Sequence, residues 1–570
     1  MNNVDLIKQN FELRKENSEL KKENIYLKEK VKSTGNKLAF ANNKIKKLEK
    51  QFEDYQNEEE KRIKIIVEKA VNKITEKLNK EHEIEINNLN AKINRLEKRL
   101  NTNSINSSIP TSKDRIGKHK IQNNREKTNN KIGSQDGHEI HKLEYFREEE
   151  ITNTVEHTLD ECPVCGGKLK EINVVRSDVI DVEIKVTKTR NNIHNYKCEH
   201  CKKNISANND LPRGVTYGNN IKTIGLSMMN ESNTPLNKIT TFISGITNNE
   251  VNLTEGYLVK LQKQASSNLD NFKCDLKEKI ISLEKVFWDD TTVKIGIGKP
   301  VEGYDDKDKE YLEKIKNDDE KKEKNIRNGI IRFYGDDRFA LLIGHRTKKA
   351  EDIDKDGILD NLSSDCVVMH DHVLLNYNDK YNFKNAECNE HIRRYLRGNM
   401  DRFPSHTWSG QMRDFLIEIK KEKEELIKKG INSFTKERLN EIYSKYDEII
   451  TLGYQENKTV NIIYILDKND ELNLIERLDK FKENHLMFAC DFSVDFTNNT
   501  SEKGLRQVKR KIAVSFMFKN ANRMKDYANI ISYLETCFRN NISRFNAIKR
   551  LVSNNPYTIK EIVEMNEKNE

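Results

Sequence analysis

The sequence predicts a multi-domain protein with an N-terminal α-helical coiled coil, a small four-cysteine zinc module and a C-terminal α/β domain that carries a helical insertion. Three observations lead there. Leucines recur every seven residues near the N-terminus, two Cys-x-x-Cys pairs lie further along, and the C-terminal half holds apolar strand-like runs interrupted by carboxylates. At 570 residues the chain is long enough for several cores. Hydrophobic residues make up 35% and charged ones 34%, so part of the length is something other than packed core. The apolar runs, such as Leu341-Leu342-Ile343, are too short to cross a membrane. The first residues lack the basic-then-apolar pattern of a signal peptide. With 101 basic and 92 acidic side chains the net charge is +9, a mild tilt, so the placement of the positive charge matters more than its sum.

Residues 1–100 form the expected coiled coil. Leu6, Leu13, Leu20 and Leu27 occupy one seam position, and Asn10, Asn17, Asn24, Val31, Leu38, Ile45 and Phe52 the other. Leu at d with Asn at a favours a register-fixed coiled coil, because a buried Asn needs a counterpart on the facing helix. A second stripe (Val71, Ile74, Leu78, Ile86, Leu89, Ile93, Leu96, Leu100) runs out of phase with the first, so a break lies between them. A stripe of this length left alone would be exposed, which points to a homo-oligomer formed through this segment. Residues 101–145 read as a flexible basic linker with little to bury. Within 111–131 stand seven Lys/Arg against two acids, which suits either a graze along a phosphate backbone or a plain soluble tether.

Residues 146–215 contain Cys162-Pro-Val-Cys165 and Cys198-Glu-His-Cys201. Thiolates two residues apart on a tight turn can share a tetrahedral Zn²⁺, and two such turns close the site, so a structural zinc ion is expected at Cys162, Cys165, Cys198 and Cys201. Gly166 suits the turn, His200 is a bystander, and the alternation of Val182, Ile184 and Val186 reads as a strand. Nine cysteines in total, four of them here, fit a reducing cytoplasmic compartment better than a disulfide scaffold. Residues 216–285 carry helical apolar spacing and form a helical DNA-binding region, with Thr240–Ile246 a weak helix-turn-helix-like unit.

Residues 286–520 form the α/β domain. The first strand, around Val286 to Ile295, contains Asp289 and Asp290, whose burial is costly unless something binds them. Strands follow at 329–334 and 339–343, then a fourth at Cys366–His370 that ends in Asp371. Three strands, a connection and a fourth, with acids on the first and fourth, is an RNase H-like order. A charged stretch from Asp305 to Lys324 reads as a surface insertion, and a helical insertion lies near 405–485. The segment from Asn498 to Glu502 has helix-start chemistry, followed by six basic residues and no acid over 503–519. A carboxylate beside a basic strip suits a phosphodiester enzyme, since acids hold divalent metals and Lys/Arg hold phosphate. Residues 521–570 form a C-terminal helical segment.

Several ordered motifs together resemble the DDE transposases of bacterial insertion sequences, specifically the insertion-sequence 66 family. They are Asn106–Asp114 in the linker, the two knuckles, Asp289-Asp-Thr291, His370-Asp371-His372 with Tyr377, Cys388-x-x-His391-x-x-Arg394, and Asn498-Asn499-x-x-Glu502-x-x-Leu505-Arg506 with Lys509 and Lys511. The resemblance spans roughly 106–555. It implies that Asp289, Asp371 and Glu502 hold two Mg²⁺ or Mn²⁺ ions. It implies metal-dependent cleavage at element ends and transfer of the freed 3′-hydroxyl into target DNA, with accessory proteins of the same element as further partners. Thr291, His391, Arg394, Asn499, Arg506, Lys509 and Lys511 become DNA-binding or supporting residues. Cys388 and His391 either pack a helix near the site or act in it. Such a protein would be bacterial, cytoplasmic and nucleoid-associated, with no membrane role. The sequence departs from the family pattern at Asp290 (usually Glu), Lys503 (Arg), Ala513 (Lys) and Phe516 (Gly). These departures keep a rival in view, a decayed or repurposed transposase that acts as a dimeric DNA-binding protein.

Overall fold

The computed structural model describes residues 3–53, 60–101, 143–208, 214–296, 326–372, 374–458 and 465–567. The linker expectation and the charged stretch at 305–324 lie outside them. The chain falls into two compact units, the smaller made of Gly117–Leu211 with Thr241–Asn252.

In the larger unit the heptad region folds as two helices, α1 (Asn3–Glu53) and α2 (Glu60–Asn101), with the expected break between them. They run antiparallel, since Glu23 pairs with Lys92 and Lys30 with Glu85, so seven steps along one helix match seven steps back along the other. Leu20 and Leu27 of the first stripe bury against Leu89 and Leu96 of the second, with Val31 and Ile93 alongside. This part of the seam, expected to need a second chain, thus finds cover within its own, because the two out-of-phase stripes complement each other in the antiparallel pair. Ile74 and Leu78 stay exposed.

The smaller unit holds the knuckles. Strands β1 (Asn195–Lys197) and β2 (Asn204–Ser206) pair antiparallel around the second Cys pair. The strand expected at Val182–Val186 is not formed, and Val182 and Ile184 lie exposed. Alternation alone does not make a strand without a neighbour to take its hydrogen bonds.

The helical expectation for 216–285 is met by α3 (Asn219–Asn230), α4 (Leu236–Ile246), α5 (Glu255–Ser267) and α6 (Asp270–Ile281). The α/β region that follows is built on a mixed five-stranded sheet of β3 (Lys285–Gly296), β4 (Ile326–Gly335), β5 (Ala340–His345), β6 (Val367–His370) and β7 (Lys384–Glu387), in the order β5-β4-β3-β6-β7. The first three strands in sequence are antiparallel, and β6 and β7 run parallel to β3. Helix α7 (Asn389–Arg402) leaves β7 directly, and α8 (Trp408–Lys428), α9 (Lys436–Lys458) and α10 (Ile465–Lys480) form the helical insertion before α11 (Lys482–Cys490). The insertion is organised by one buried carboxylate. Glu471 accepts from Asn399, His406, Trp408 Nε1 and Asn457 at 2.8–3.0 Å, so four segments meet on a fully satisfied charge.

Helix α12 (Asn499–Ser515) crosses the sheet and α13 (Ala521–Arg539) covers its β5 edge. Ser532 and Thr536, one turn apart on α13, accept the backbone N–H groups of Leu342 and Ala340, which blunts an otherwise open edge strand. Helices α14 (Arg544–Val552) and α15 (Ile559–Glu567) complete the chain. The main core lies between the sheet and its helices and runs from Phe287, Phe333 and Met369 through Trp408 and Tyr446 to Leu505 and Tyr527.

Candidate active site

Strand register assembles the first two acids. Val286 is the partner of Val368 and Phe287 of Met369 in the parallel β3–β6 pair, so two residues on Asp289 and Asp371 come level on adjacent strands, about 5 Å apart at the backbone. His370 pairs with Glu387 across β6–β7, which brings Cys388 level with Asp371 on the next strand. Residues alternate faces along a strand, and Phe287, Met369 and Ala386 all point into the main core. Asp289, Asp371 and Cys388 therefore line one face in a row. Asp290 faces the other way, as the alternation predicts: it is level with buried Arg332 and paired with Lys348.

Helix α12 carries the third expected acid. Its cap residue is Asn498, but the side chain does not cap the helix. It donates instead to the backbone carbonyl of Trp288 at 3.0 Å, which ties the helix start to the residue before Asp289. The Asn498 backbone N–H donates to Cys388 Sγ at 3.2 Å. Glu502 sits one turn further, half-buried in the first turn, its N–H bonded to the Asn498 carbonyl. Gly504 lets α12 approach β4 closely, since a Cβ there would lie 2.4 Å from the Phe333 ring. Lys509 is near enough to Asp289 to favour its charged form, and Glu502 lies seven residues earlier on the same helical stripe.

The electrostatics set the two strand acids apart. Burial, with the neighbouring Asp371 and Asp290 carboxylates, pushes Asp289 up to about 8. Burial works the same way on Asp371, but His391, His370 and Asn498 outweigh it and hold this carboxyl below its ordinary value. His391 Nδ1 stands 3.0 Å from Asp371 Oδ1. Burial opposes the imidazolium, yet Asp371 and Cys388 overcome it and raise His391 to about 11. Beyond this ion pair, neither buried atom meets a hydrogen-bond partner among the described residues.

Asp371 is held from both sides. His370 Nε2 meets Asn385 at 2.8 Å, while His372 Nδ1 meets Glu387 at 2.6 Å. Glu387 also accepts from Tyr377 at 2.5 Å and Arg477 at 2.7 Å. Burial alone would raise Glu387, but His372, His485 and Arg477 hold it far below the carboxylate range. Asn498 and Glu387 are the residues sequence reasoning missed as organisers. Asn498 was legible only as a helix-start signal, and nothing in the sequence marks a buried Glu at a strand end.

The remaining candidates scatter around this centre. Thr291 shares the Asp289 face, Asn499 is exposed at the start of α12, and Arg394 is half-buried on α7. Arg506 and Lys509 are exposed, whereas Lys511 lies over the Tyr527 ring and burial lowers its pKa. Among the described residues, the group whose three ligand atoms all lie within 4.8 Å of one another is Asp371, Cys388 and His391. The three acids are not that close, and neither are the four knuckle thiols. Each knuckle is nonetheless formed locally. Gly166 and Lys202 follow the second cysteines with φ of +70° and +58°, and the amides of Val164 and Cys165, and of Cys201 and His200, lower the Cys162 and Cys198 thiols. Amide-stabilised thiols of this kind suit a zinc ion. Paired carboxylates, one forced toward neutrality by burial and by its neighbours, suit hard divalent cations.

A model of the Transposase IS66 family matches residues 216–525, a stretch that contains the whole sheet, α7 and α12. The chain belongs to this family. Residues 53–144 match a model of a family of unknown function, DUF6444, and no curated protein or solved structure matches the chain. As an IS66-family transposase it is a DNA-binding enzyme of the nuclease–transferase kind, in a group that generally uses divalent metals. Among the described residues no helix is long and apolar enough to cross a membrane.

Proposed function

We propose that this IS66-family protein cleaves DNA at the ends of an insertion sequence and transfers the freed 3′-hydroxyl into target DNA, with Asp289, Asp371 and Glu502 as its metal-binding triad. The observation that carries the reading is the register that sets Asp289 level with Asp371 beneath the start of the helix bearing Glu502. The strand order, with three antiparallel strands and two more parallel to the first, supports an RNase H-like domain. Two bound Mg²⁺ or Mn²⁺ ions would activate the attacking water or hydroxyl and stabilise the leaving oxygen. The chain's own residues do the rest. Asp289 is poised to give up a proton near neutrality when a cation arrives, and the His370 and His372 anchors keep Asp371 aimed. Arg394, Arg506 and Lys509 hold the phosphate backbone, and Lys511 steadies α12 against Tyr527. The knuckles bind a structural zinc ion through Cys162, Cys165, Cys198 and Cys201. Self-association uses apolar residues that stay exposed on α1 after the hairpin closes, among them Ile25, Tyr26 and Phe40.

Labelled element ends incubated with Mg²⁺ test the reading. The expected result is joined product, lost in Asp371→Asn while end binding persists. Joining at the wild-type rate in that variant would falsify the assignment. End binding by the wild-type chain with neither cleavage nor joining would favour the decayed, DNA-holding rival.

A further inference from the structure

We propose that Asp371, Cys388 and His391 form a mixed oxygen–sulfur–nitrogen site for one borderline divalent cation of the Zn²⁺ class, different in chemistry from an all-oxygen magnesium centre. The three ligand atoms already lie within 4.8 Å of one another. Ligands bound to zinc at about 2.0–2.3 Å stand roughly 3–4 Å apart in a tetrahedron, so small side-chain movements complete the set. The geometry is built in. Cys388 caps α7 and His391 lies one turn on, which turns both toward the strand end where Asp371 is pinned through His370 and His372.

Two observations separate this cluster from ordinary packing. Asp371 Oδ1 and His391 Nδ1 are buried and lack a properly aligned hydrogen bond, although they stand 3.0 Å apart. Buried polar atoms left in this state are uncommon, and a shared cation would satisfy both. Cys388 is 2% exposed, and its sulfur receives the Asn498 amide at 3.2 Å, an outer contact of the kind that orients and stabilises a metal thiolate. Binding a cation here releases the protons of Cys388 and of the His391 imidazolium, leaving a carboxylate, a thiolate and a neutral imidazole whose two negative charges a divalent cation neutralises. The donor set selects the ion, since Mg²⁺ takes oxygen ligands whereas thiolate and imidazole suit Zn²⁺ and its probe Co²⁺. A three-ligand site leaves one position open, and Asp371 makes it adjacent to the proposed triad. The site shares Asp371 with that triad but needs no strand chemistry to be true.

Co²⁺ titration of the full chain tests it. Wild type is compared with Cys388→Ser and with His391→Gln, with the cooperative thermal transition of each metal-free protein as the control for folding and the knuckle signal common to all three as the reference for cobalt uptake. The expected result is one more Co²⁺ per chain in wild type than in either variant, with a thiolate-to-cobalt charge-transfer band in the wild-type-minus-Cys388→Ser difference spectrum. Zn²⁺ should displace this ion and excess Mg²⁺ should not. Equal uptake and identical spectra in all three proteins would overturn the proposal, as would displacement by Mg²⁺. Failure of the cleavage reading shows itself separately, as absence of Mg²⁺-dependent cleavage by wild type.

Discussion

The knuckles and the acidic centre are two candidate metal sites made in opposite ways. Each knuckle is a single turn. Its two cysteines are three residues apart, the residue after the second has positive φ, and its amides already point at a thiol. The acidic centre draws on residues more than two hundred positions apart, set level by strand register and closed by a helix that reaches back to Trp288. The knuckles lie largely in irregular backbone with exposed apolar residues nearby, such as Val164 and Ile172, while the acids sit on the main core. A site written in local spacing can form without a surrounding core and leans on its metal. A site written in register exists only once the sheet is folded, and its buried carboxyls are then eased by a proton on Asp289 and by His391 beside Asp371.

The sharpest way to break the comparison is Asp289→Asn. Activity should fall by two or more orders of magnitude, about 3 kcal/mol of transition-state stabilisation, in a Mg²⁺ strand-transfer assay. The metal-free protein should meanwhile become more stable at alkaline pH. The sign follows from Asp289 being raised from 3.8 to about 8. The folded state then binds more protons than the unfolded state between those values, so this residue makes stability fall as pH rises through that window. Removing the carboxyl should flatten that fall, and urea melts at pH 5 and pH 9 would show it. An unchanged pH slope in the variant would mean that Asp289 is not the strained group.

Comparable in free energy, but falling on stability and not on catalysis, is Glu387→Ala, which strands Arg477 and His372 beside a buried void. Removing one partner of a buried ion pair costs about 3–5 kcal/mol, readable as a large drop in the denaturation midpoint. A loss within experimental error would show that the Asp371 anchor is not structural. Chelation should divide the two sites more mildly. Zinc removal is expected to increase proteolysis within 143–208 while leaving the main thermal transition nearly in place. A collapse of that transition would show that the core also depends on the metal.

The smallest effect concerns a departure already visible in the sequence. Phe516 ends α12 with φ +63°. That region is strained for a residue with a Cβ, so Phe516→Gly should stabilise the protein by about 1 kcal/mol. A thermal midpoint that drops instead would mean that the half-exposed ring packs better than its backbone suggests.

Read along the chain, the heptads, the Cys pairs, four of the five strands of the main sheet and the start of α12 were legible, because each is a periodic or short-range pattern enforced by backbone geometry; the short strand Lys384–Glu387 was not. The opposite facing of Asp289 and Asp290 was legible for the same reason. Other features depended on which surfaces meet, and no local pattern encodes that. Tertiary structure decided that the first helical stripe folds back on the second, that Val182–Val186 finds no strand partner, and that Asn498 binds Trp288 instead of capping its helix. It also decided that Glu387 anchors the histidine beside Asp371, and that Asp371, Cys388 and His391 converge. Spacing specifies a residue's direction on its own element, whereas the company it keeps depends on the packing of elements distant in sequence.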